Sequence, residues 1–160
     1  MPQQGNPEVV PPEGGRRIWV LGELYTFKVT GEESGGSFAL WETFVNPGSG
    51  PPPHIHHGES EAFYVLSGEF EFVAGNRTLR GGPGSLFHAP KGTIHTFRNV
   101  SDSSGKTLTI VAPAGFERFF FEFGEPATTA QGPPSIAPQN SERLVTVARK
   151  YGCEILMPSH

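Results

Sequence analysis

Histidines and acidic residues are concentrated in the segment PPPHIHHGESE. Side chains alternate along an extended strand, so His54 and His56 share one face and His57 points to the other. Two imidazoles spaced in this way can reach one metal ion at roughly 2.0–2.1 Å, the usual zinc–nitrogen distance. The remaining ligands must come from elsewhere, and the natural candidates are Glu61 and His95, each at the edge of a predicted strand.

The composition indicates what kind of scaffold positions these residues. At 160 residues the chain suits one domain with a substantial core. Its charged fraction of 18% is low, and it contains 21 glycines and 16 prolines. Thirteen phenylalanines supply bulky side chains for an interior. This mixture favours an all-β domain with many tight turns over a helical bundle.

Short apolar segments separated by turn residues predict a series of strands. Residues 18–29 and 37–45 alternate as strands before the histidine segment. Turn signals such as GN, GGPG and PKG separate the later strands. Those strands are predicted at residues 62–67, 69–74, 77–80, 85–89, 94–100 and 106–113. Strands this short and this frequent indicate a sandwich or a barrel.

The C-terminal part of the chain has a different pattern. Four phenylalanines at i, i+3, i+4 and i+7 predict a short amphipathic helix: Phe116, Phe119, Phe120 and Phe123. Alternating phenylalanines within the same stretch leave a strand open as a second interpretation. The segment NSERLVTVARKYG predicts another helix, with Asn140 or Ser141 as its N-cap. We therefore expect a flexible arm over residues 1–15, a barrel over 16–113 and a helical extension packed on the barrel over 114–160.

Charge and hydropathy argue against several functional classes. A net charge of −4 without a stripe of Lys or Arg does not suit a nucleic-acid surface. The single cysteine, Cys153, excludes an intramolecular disulfide. Residues 1–15 are polar and proline-rich without the apolar region of a signal peptide, and no apolar run approaches the roughly 20 residues of a membrane helix. These features predict a cytoplasmic protein with a small-molecule partner and no nucleic-acid or membrane partner.

Two sequence patterns resemble those of a known family. The pattern Gly48-x5-His54-x-His56-x4-Glu61-x6-Gly68 resembles the first motif of the cupin superfamily, and Gly84-x5-Pro90-x-Gly92-x2-His95-x3-Asn99 resembles the second. Both match at every specified position. The 15 residues between them resemble the short intermotif region of single-domain bacterial cupins. The flanking segments are similar to those of quercetin 2,3-dioxygenase-like proteins.

The resemblance implies a fold and a ligand set. The fold is a double-stranded β-helix, or jelly-roll barrel, here with short C-terminal helices and with one divalent transition metal inside. The implied ligands are His54, His56, Glu61 and His95. Three neutral imidazoles and one carboxylate leave a monocationic centre with positions open for water, dioxygen or a bidentate substrate. Such ligation suits Fe, Ni, Mn, Co, Cu or Zn.

Strand parity suggests which side chains lie near the ligands. Phe63 and Val65 share the parity of Glu61, and Phe97 shares that of His95, so all three are candidate pocket walls, although core packing explains them equally. His88 is a further pocket candidate that could bond a ligand.

Other polar residues have simpler interpretations. We expect Glu59 and Glu69 to be solvated, and His57 to face solvent or a loop. The glycines and the proline of the two motifs are expected to form turns. Asn99 is expected to bond backbone groups.

For function, the resemblance implies a metal-dependent dioxygenase that cleaves a small aromatic or enolisable substrate such as a flavonol. In that reaction the substrate chelates or abuts the metal, Glu61 accepts its hydroxyl proton, and dioxygen attacks the activated carbon. Isomerases, epimerases, lyases and decarboxylases of the superfamily share the same site. A non-catalytic ligand-binding protein is the alternative from another class. A homodimer is also predicted, through the apolar strand 18–29 and the phenylalanine-rich segment.

Overall fold

The computed structural model describes residues 5–128, 132–134 and 140–157. Parts of the expected arm and of the linker before the second helix, and the last three residues, lie outside these ranges. The described strands are β1 (Arg16–Val20), β2 (Glu23–Val29), β3 (Ala39–Val45), β4 (His54–His56), β5 (Ser60–Ser67), β6 (Phe70–Ala74), β7 (Arg77–Gly81), β8 (Leu86–Ala89), β9 (His95–Asn99), β10 (Gly105–Ala112), β11 (Glu125–Pro126) and β12 (Cys153–Ile155). The helices are α1 (Glu117–Phe123) and α2 (Asn140–Lys150).

The strands form two antiparallel sheets. One has seven strands in the order β11-β1-β2-β3-β10-β5-β8, and the other has five in the order β12-β4-β9-β6-β7. From β3 to β10 the chain passes back and forth between the sheets, except that β6 and β7 are paired neighbours in the five-stranded sheet. This is the expected double-stranded β-helix, and the all-β prediction is confirmed.

One predicted strand is two strands in the structure. Residues 18–29 were expected to run continuously, but Leu21 and Gly22 have φ values of 48° and 82° and separate β1 from β2. Two successive residues with positive φ make the tight turn that suits the twist of a β-hairpin. The prediction was wrong because Leu21 does not signal a turn by its residue type.

The two sheets share a core rich in aromatic side chains. Phe63 and Phe87 come from the seven-stranded sheet, and Phe72 and Phe97 come from the other. The rings of Phe72 and Phe87 stack at 4.7 Å, and those of Phe63 and Phe97 lie 5.0 Å apart. Side chains at alternate positions of each strand therefore meet between the sheets, as strand geometry requires.

Asn99 holds the end of β9 in place, as the sequence predicted. Its side chain is fully buried, and its amide nitrogen donates to the carbonyl oxygens of Val45 at 3.0 Å and Ser103 at 2.8 Å. Its side-chain oxygen accepts from the backbone N–H of Ser101 at 2.9 Å. The role is structural because these partners belong to the loop after β9 and to the end of β3 in the other sheet.

The C-terminal elements close a second part of the core. The phenylalanine-rich segment, open to two interpretations, is helix α1, and Phe116, Phe119, Phe120 and Phe123 are all buried. Helix α2 is present as predicted; it buries Leu144 and Ala148 against the same cluster, while the side chain of Asn140 is outside what the structure describes. Neither described helix is long and apolar enough to cross a membrane.

Candidate metal centre

The four candidate ligands lie at the meeting point of both sheets. His54 and His56 are at the two ends of β4, and His95 begins β9, directly opposite His54 in register. Glu61 is on β5 of the other sheet, where it pairs with Ala89. The short strand β4 points both of its histidines inward, which is the arrangement that the i, i+2 spacing predicted.

The ligand atoms converge on one oxygen of the glutamate. Glu61 Oε1 lies 2.9 Å from His95 Nε2, 3.3 Å from His56 Nε2 and 3.9 Å from His54 Nε2. One ligand atom from each of the four residues falls within 4.8 Å of all the others. All four residues are buried, with at most 8% of any of them exposed. The set is compact enough to surround a single ion.

The other nitrogen of each imidazole is already bonded. His54 Nδ1 is 2.9 Å from the carbonyl oxygen of Pro52, and His95 Nδ1 is 2.9 Å from that of Thr93. His56 Nδ1 is 2.7 Å from Glu59 Oε1. Carbonyl and carboxylate oxygens only accept hydrogen bonds, so each Nδ1 carries the proton. In the neutral rings the Nε2 lone pairs then point at the centre.

These tautomers make the centre suitable for a cation. Three nitrogen lone pairs and one carboxylate oxygen face one another across a buried space, and His56 Nε2 has no hydrogen-bond partner there. Buried acceptors without donors are costly, and a divalent ion would satisfy all of them at once. The residues present therefore fit a metal with nitrogen and oxygen ligands.

Without a metal, the negative charge of Glu61 and the positive charge of His56 stabilise each other. Burial opposes ionisation of Glu61, but the cationic His56 and the hydrogen bonds of the imidazoles outweigh it and hold the Glu61 pKa well below its usual range. Burial also disfavours the charged form of His56, but the carboxylates of Glu61 and Glu59 raise its pKa to about 10. For His54, burial dominates and lowers the pKa.

A small apolar cavity adjoins the candidate ligands. Its volume is about 130 Å³. It is lined by His54, His56 and Glu61 and by six large aromatic side chains: Trp41, Phe63, Phe97, Phe116, Phe119 and Phe120. Hydroxyl and carboxyl groups of the seven-stranded sheet add a polar margin, from Glu23, Tyr25, Thr43 and Thr109. The arrangement can hold a small flat molecule beside a metal.

The pocket residues expected from the sequence fall into two groups. Phe63 and Phe97 line the cavity, whereas Val65 is fully buried in the core beyond it. His88 is exposed on the outer face of β8, because Phe87 and Ala89 are the residues of that strand that point inward. The expectation that Val65 and His88 line the pocket is therefore corrected.

Two features of the site were missed from the sequence. Glu59, expected to be solvated, is 6% exposed and bonded to His56, because it lies in the bend between β4 and β5 where strand parity does not apply. One cavity wall comes from α2 and β12, which contribute Ala148 and Cys153. The apolar face of α2 predicted burial but not the surface that it covers. His57 is exposed and bonds Glu154 at 3.0 Å, as its parity predicted.

Comparison with known proteins identifies the family of this chain. A family model described as the cupin domain matches residues 41–111, which include all four candidate ligands. The chain contains a cupin domain. The curated relatives of this cupin include quercetin 2,3-dioxygenase of Aspergillus japonicus, 34% identical over 138 residues that cover 82% of this chain and 39% of the relative.

A second relative and a solved structure agree with this assignment. Quercetin 2,3-dioxygenase of Bacillus subtilis is 25% identical over 126 residues, covering 79% of this chain and 37% of the relative. The cupin thus spans about two fifths of the length of these relatives. The crystal structure of a predicted oxalate decarboxylase from Thermotoga maritima superposes with a TM-score of 0.63 at 18% identity, covering 66% of this chain and 99% of that one. That likeness concerns the fold.

Proposed function

We propose that this cupin is a metal-dependent enzyme, a dioxygenase acting on a small aromatic or enolisable substrate of which a flavonol is one example. The observation that carries the proposal is the convergence of three imidazole Nε2 atoms and Glu61 Oε1 beside an aromatic cavity. The similarity to two quercetin 2,3-dioxygenases supports the choice among cupin reactions.

The metal would be held by His54, His56, Glu61 and His95. Nitrogen and oxygen ligands suit Fe, Ni, Mn, Co, Cu or Zn in the divalent state. When bound, such an ion supplies Lewis acidity and, if it is redox-active, a route for electrons between substrate and dioxygen. A substrate hydroxyl at the cavity end of the site would then lie next to the Glu61 carboxylate.

Within the chain, Glu61 would accept a proton from the substrate, and the aromatic residues would position the substrate. Glu61 Oε1 faces the imidazoles, and among the described residues no hydrogen bond engages Oε2, which is free to accept the hydroxyl proton of a substrate. Phe63 and Phe116 would hold a flat ring and exclude water; the Phe116 ring meets the His56 ring edge-on at 4.4 Å. These contacts would orient an enolate towards the ligands.

The cavity volume bears on substrate size. Pockets for drug-sized ligands usually measure roughly 300–1,000 Å³, whereas this one measures about 130 Å³. A single-ring or acyclic enol therefore fits the described conformation more readily than a three-ring flavonol. The assay should include a catechol and a 1,3-diketone beside quercetin.

The decisive experiment combines metal analysis with oxygen uptake. The protein is reconstituted anaerobically with each of the six metals, and oxygen consumption is then followed with each substrate. We expect one metal per chain and metal-dependent uptake. Stoichiometric metal without uptake on any substrate would contradict the dioxygenase proposal and favour an isomerase, a lyase or a ligand-binding protein. Absence of metal in every preparation would overturn the site itself.

Variants test the ligand assignment directly. His56→Ala and Glu61→Ala each remove a buried ligand, so both should lose metal retention and activity while the far-ultraviolet circular dichroism stays that of a β-protein. His57→Ala is the matched control, because His57 is adjacent in sequence but exposed and bonded to Glu154. It should retain metal and activity. Full activity in His56→Ala and Glu61→Ala would contradict the assignment.

A further inference from the structure

We propose that Glu59 is a positioning residue for the metal, acting through His56; this inference rests on the metal-binding part of the proposed function. Glu59 is not itself in the ligand set. It contacts the ring of a candidate ligand on the side away from the centre. Its role would be to fix that ring and to make its Nε2 a stronger donor to the metal.

The three imidazoles differ in how they are anchored. The Nδ1–H groups of His54 and His95 donate to backbone carbonyl oxygens, both at 2.9 Å. The Nδ1–H of His56 donates to the carboxylate of Glu59 at 2.7 Å. Hydrogen bonds to a charged acceptor are shorter and roughly twice as strong as neutral ones. His56 is therefore the ligand with the strongest anchor.

The burial of Glu59 argues that this contact is more than a surface ion pair. Glu59 is 6% exposed and His56 is 2% exposed. Removing a carboxylate from water costs free energy unless it is compensated by pairing and hydrogen bonds. In the described part of the chain, the hydrogen bond from His56 is the one that Glu59 makes through its side chain. A neutral side chain could accept that bond at lower cost. Two carboxylates flank His56, and one imidazole can balance the charge of only one of them, so the second negative charge requires a reason.

A divalent ion at the centre supplies that reason. With Glu61 as the one charged ligand, the ion and its ligands carry one net positive charge. The carboxylate of Glu59 behind His56 brings the buried total to neutral and draws the Nδ1 proton, which increases electron density on Nε2. Removing the carboxylate from a carboxylate–histidine–metal arrangement of this kind typically weakens metal binding by about 10–100-fold.

The local chain geometry explains why Glu59 can reach the ring. His56 ends β4, and residues 57–59 form a bend before β5 begins at Ser60. The bend returns the side chain at i+3 to the imidazole at i. Glu61, two residues later on β5, then faces the same imidazole from the opposite side through Oε1, 3.3 Å from Nε2. One imidazole is thus held between two carboxylates.

The test measures metal affinity rather than turnover. Co²⁺ dissociation constants are determined by competition with a chromophoric chelator for the wild type, Glu59→Gln and Glu59→Ala. Glu69→Gln is the matched control, because the Glu69 side chain is 45% exposed and pairs with Arg80 at 3.9 Å. We expect Glu59→Ala to weaken binding about 10–100-fold and Glu59→Gln, which keeps an acceptor, to weaken it less. The control should match the wild type.

A second readout separates positioning from a merely structural role. The visible ligand-field bands of bound Co²⁺ should shift in Glu59→Ala and return towards the wild type in Glu59→Gln. Wild-type affinity and wild-type bands in Glu59→Ala would overturn the proposal. If that variant does not fold, the same result in the near-isosteric Glu59→Gln overturns it. A wild type that binds Co²⁺ but consumes no oxygen would overturn the dioxygenase proposal alone, and one that binds no metal would overturn both.

Discussion

At the scale of single residues, the site is a set of groups whose charges depend on one another. The Glu61 carboxylate is stabilised by the imidazoles around it, and the charged form of His56 is stabilised by two carboxylates. Each group is buried, so neither charge could persist alone at that position. The pH dependence of the metal-free protein follows from this coupling.

In the metal-free protein, the stabilising contributions of Glu61 and His56 should both be fully present between about pH 4.5 and 6.5. The depressed pKa of Glu61 contributes stability above its ordinary value of 4.5, and this contribution is lost as pH falls through the folded pKa. The raised pKa of His56 contributes stability below 6.5, and this contribution is lost as pH rises towards about 10. The free energy of unfolding in urea, measured with chelator present at pH values below, within and above this window, tests the prediction.

Two variants test this prediction, one that should change the pH profile and one that should not. In Glu61→Gln one of the two carboxylates that stabilise the charged His56 is absent, so the decline of the unfolding free energy above pH 6.5 should be shallower than in the wild type. His57→Ala removes an exposed imidazole and should leave the profile unchanged. An unfolding free energy that rises steadily from pH 6.5 to 9 in the metal-free wild type would contradict the coupling.

At the scale of elements, helix α2 determines how much room the cavity has. Ala148 is fully buried and lines the cavity, together with Leu144 one turn earlier. A larger side chain at residue 148 would point into space that a substrate needs. It would not touch the ligand set, which belongs to β4, β5 and β9.

Substitution at this helix should separate substrate binding from metal binding. We expect Ala148→Leu to keep wild-type metal content while raising KM for the best substrate at least about tenfold, with an overpacking cost of roughly 1–3 kcal/mol in the free energy of unfolding. Thr146→Leu, on the exposed face of the same helix, is the control. Unchanged KM in a folded Ala148→Leu protein would show that the substrate does not reach α2.

The same scale shows why the sequence predicted some parts of this cupin and not others. Strand parity correctly grouped His54 with His56 because β4 is regular. It failed at Glu59, where the chain bends, and at Leu21, whose positive φ has no signal in its residue type. His88 was misplaced because β8 has a large apolar residue of each parity, Leu86 facing outward and Phe87 inward. The α2 wall was missed because a helix face predicts burial without naming its partner.

At the scale of the whole molecule, the surface expected to form a homodimer is used within the chain. Strand β1 and the phenylalanines of α1 pack in one cluster with α2 and β12. Among the exposed large apolar side chains of the described residues, five lie instead on the outer face of the seven-stranded sheet, on β3, β5, β8 and β10: Phe44, Tyr64, Leu66, Leu86 and Ile110. Homodimerisation itself remains a prediction, and its surface moves from strand 18–29 and the phenylalanine-rich segment to this face.

Sedimentation velocity tests that prediction. The wild type should sediment as a dimer at micromolar concentration, and Leu86→Lys should shift it towards monomer because the lysine would place an uncompensated charge within an apolar contact. Leu86 is 63% exposed, so the substitution should not disturb the core. Leu79→Lys, on the other sheet, is the control. A monomeric wild type would contradict the prediction.

The pairing of β12 with β4 has a consequence for how the protein is made. Cys153 and Ile155 lie beside His56 and His54, yet Cys153 follows the last candidate ligand, His95, by 58 residues. At translation rates of about 5–20 residues per second, the ribosome adds the covering strand roughly 3–12 s after all four ligands have been polymerised. The nascent chain therefore passes through an interval in which its ligand set exists but is still open on one side. A metal ion supplied during that interval would meet the proposed ligands before β12 covers them.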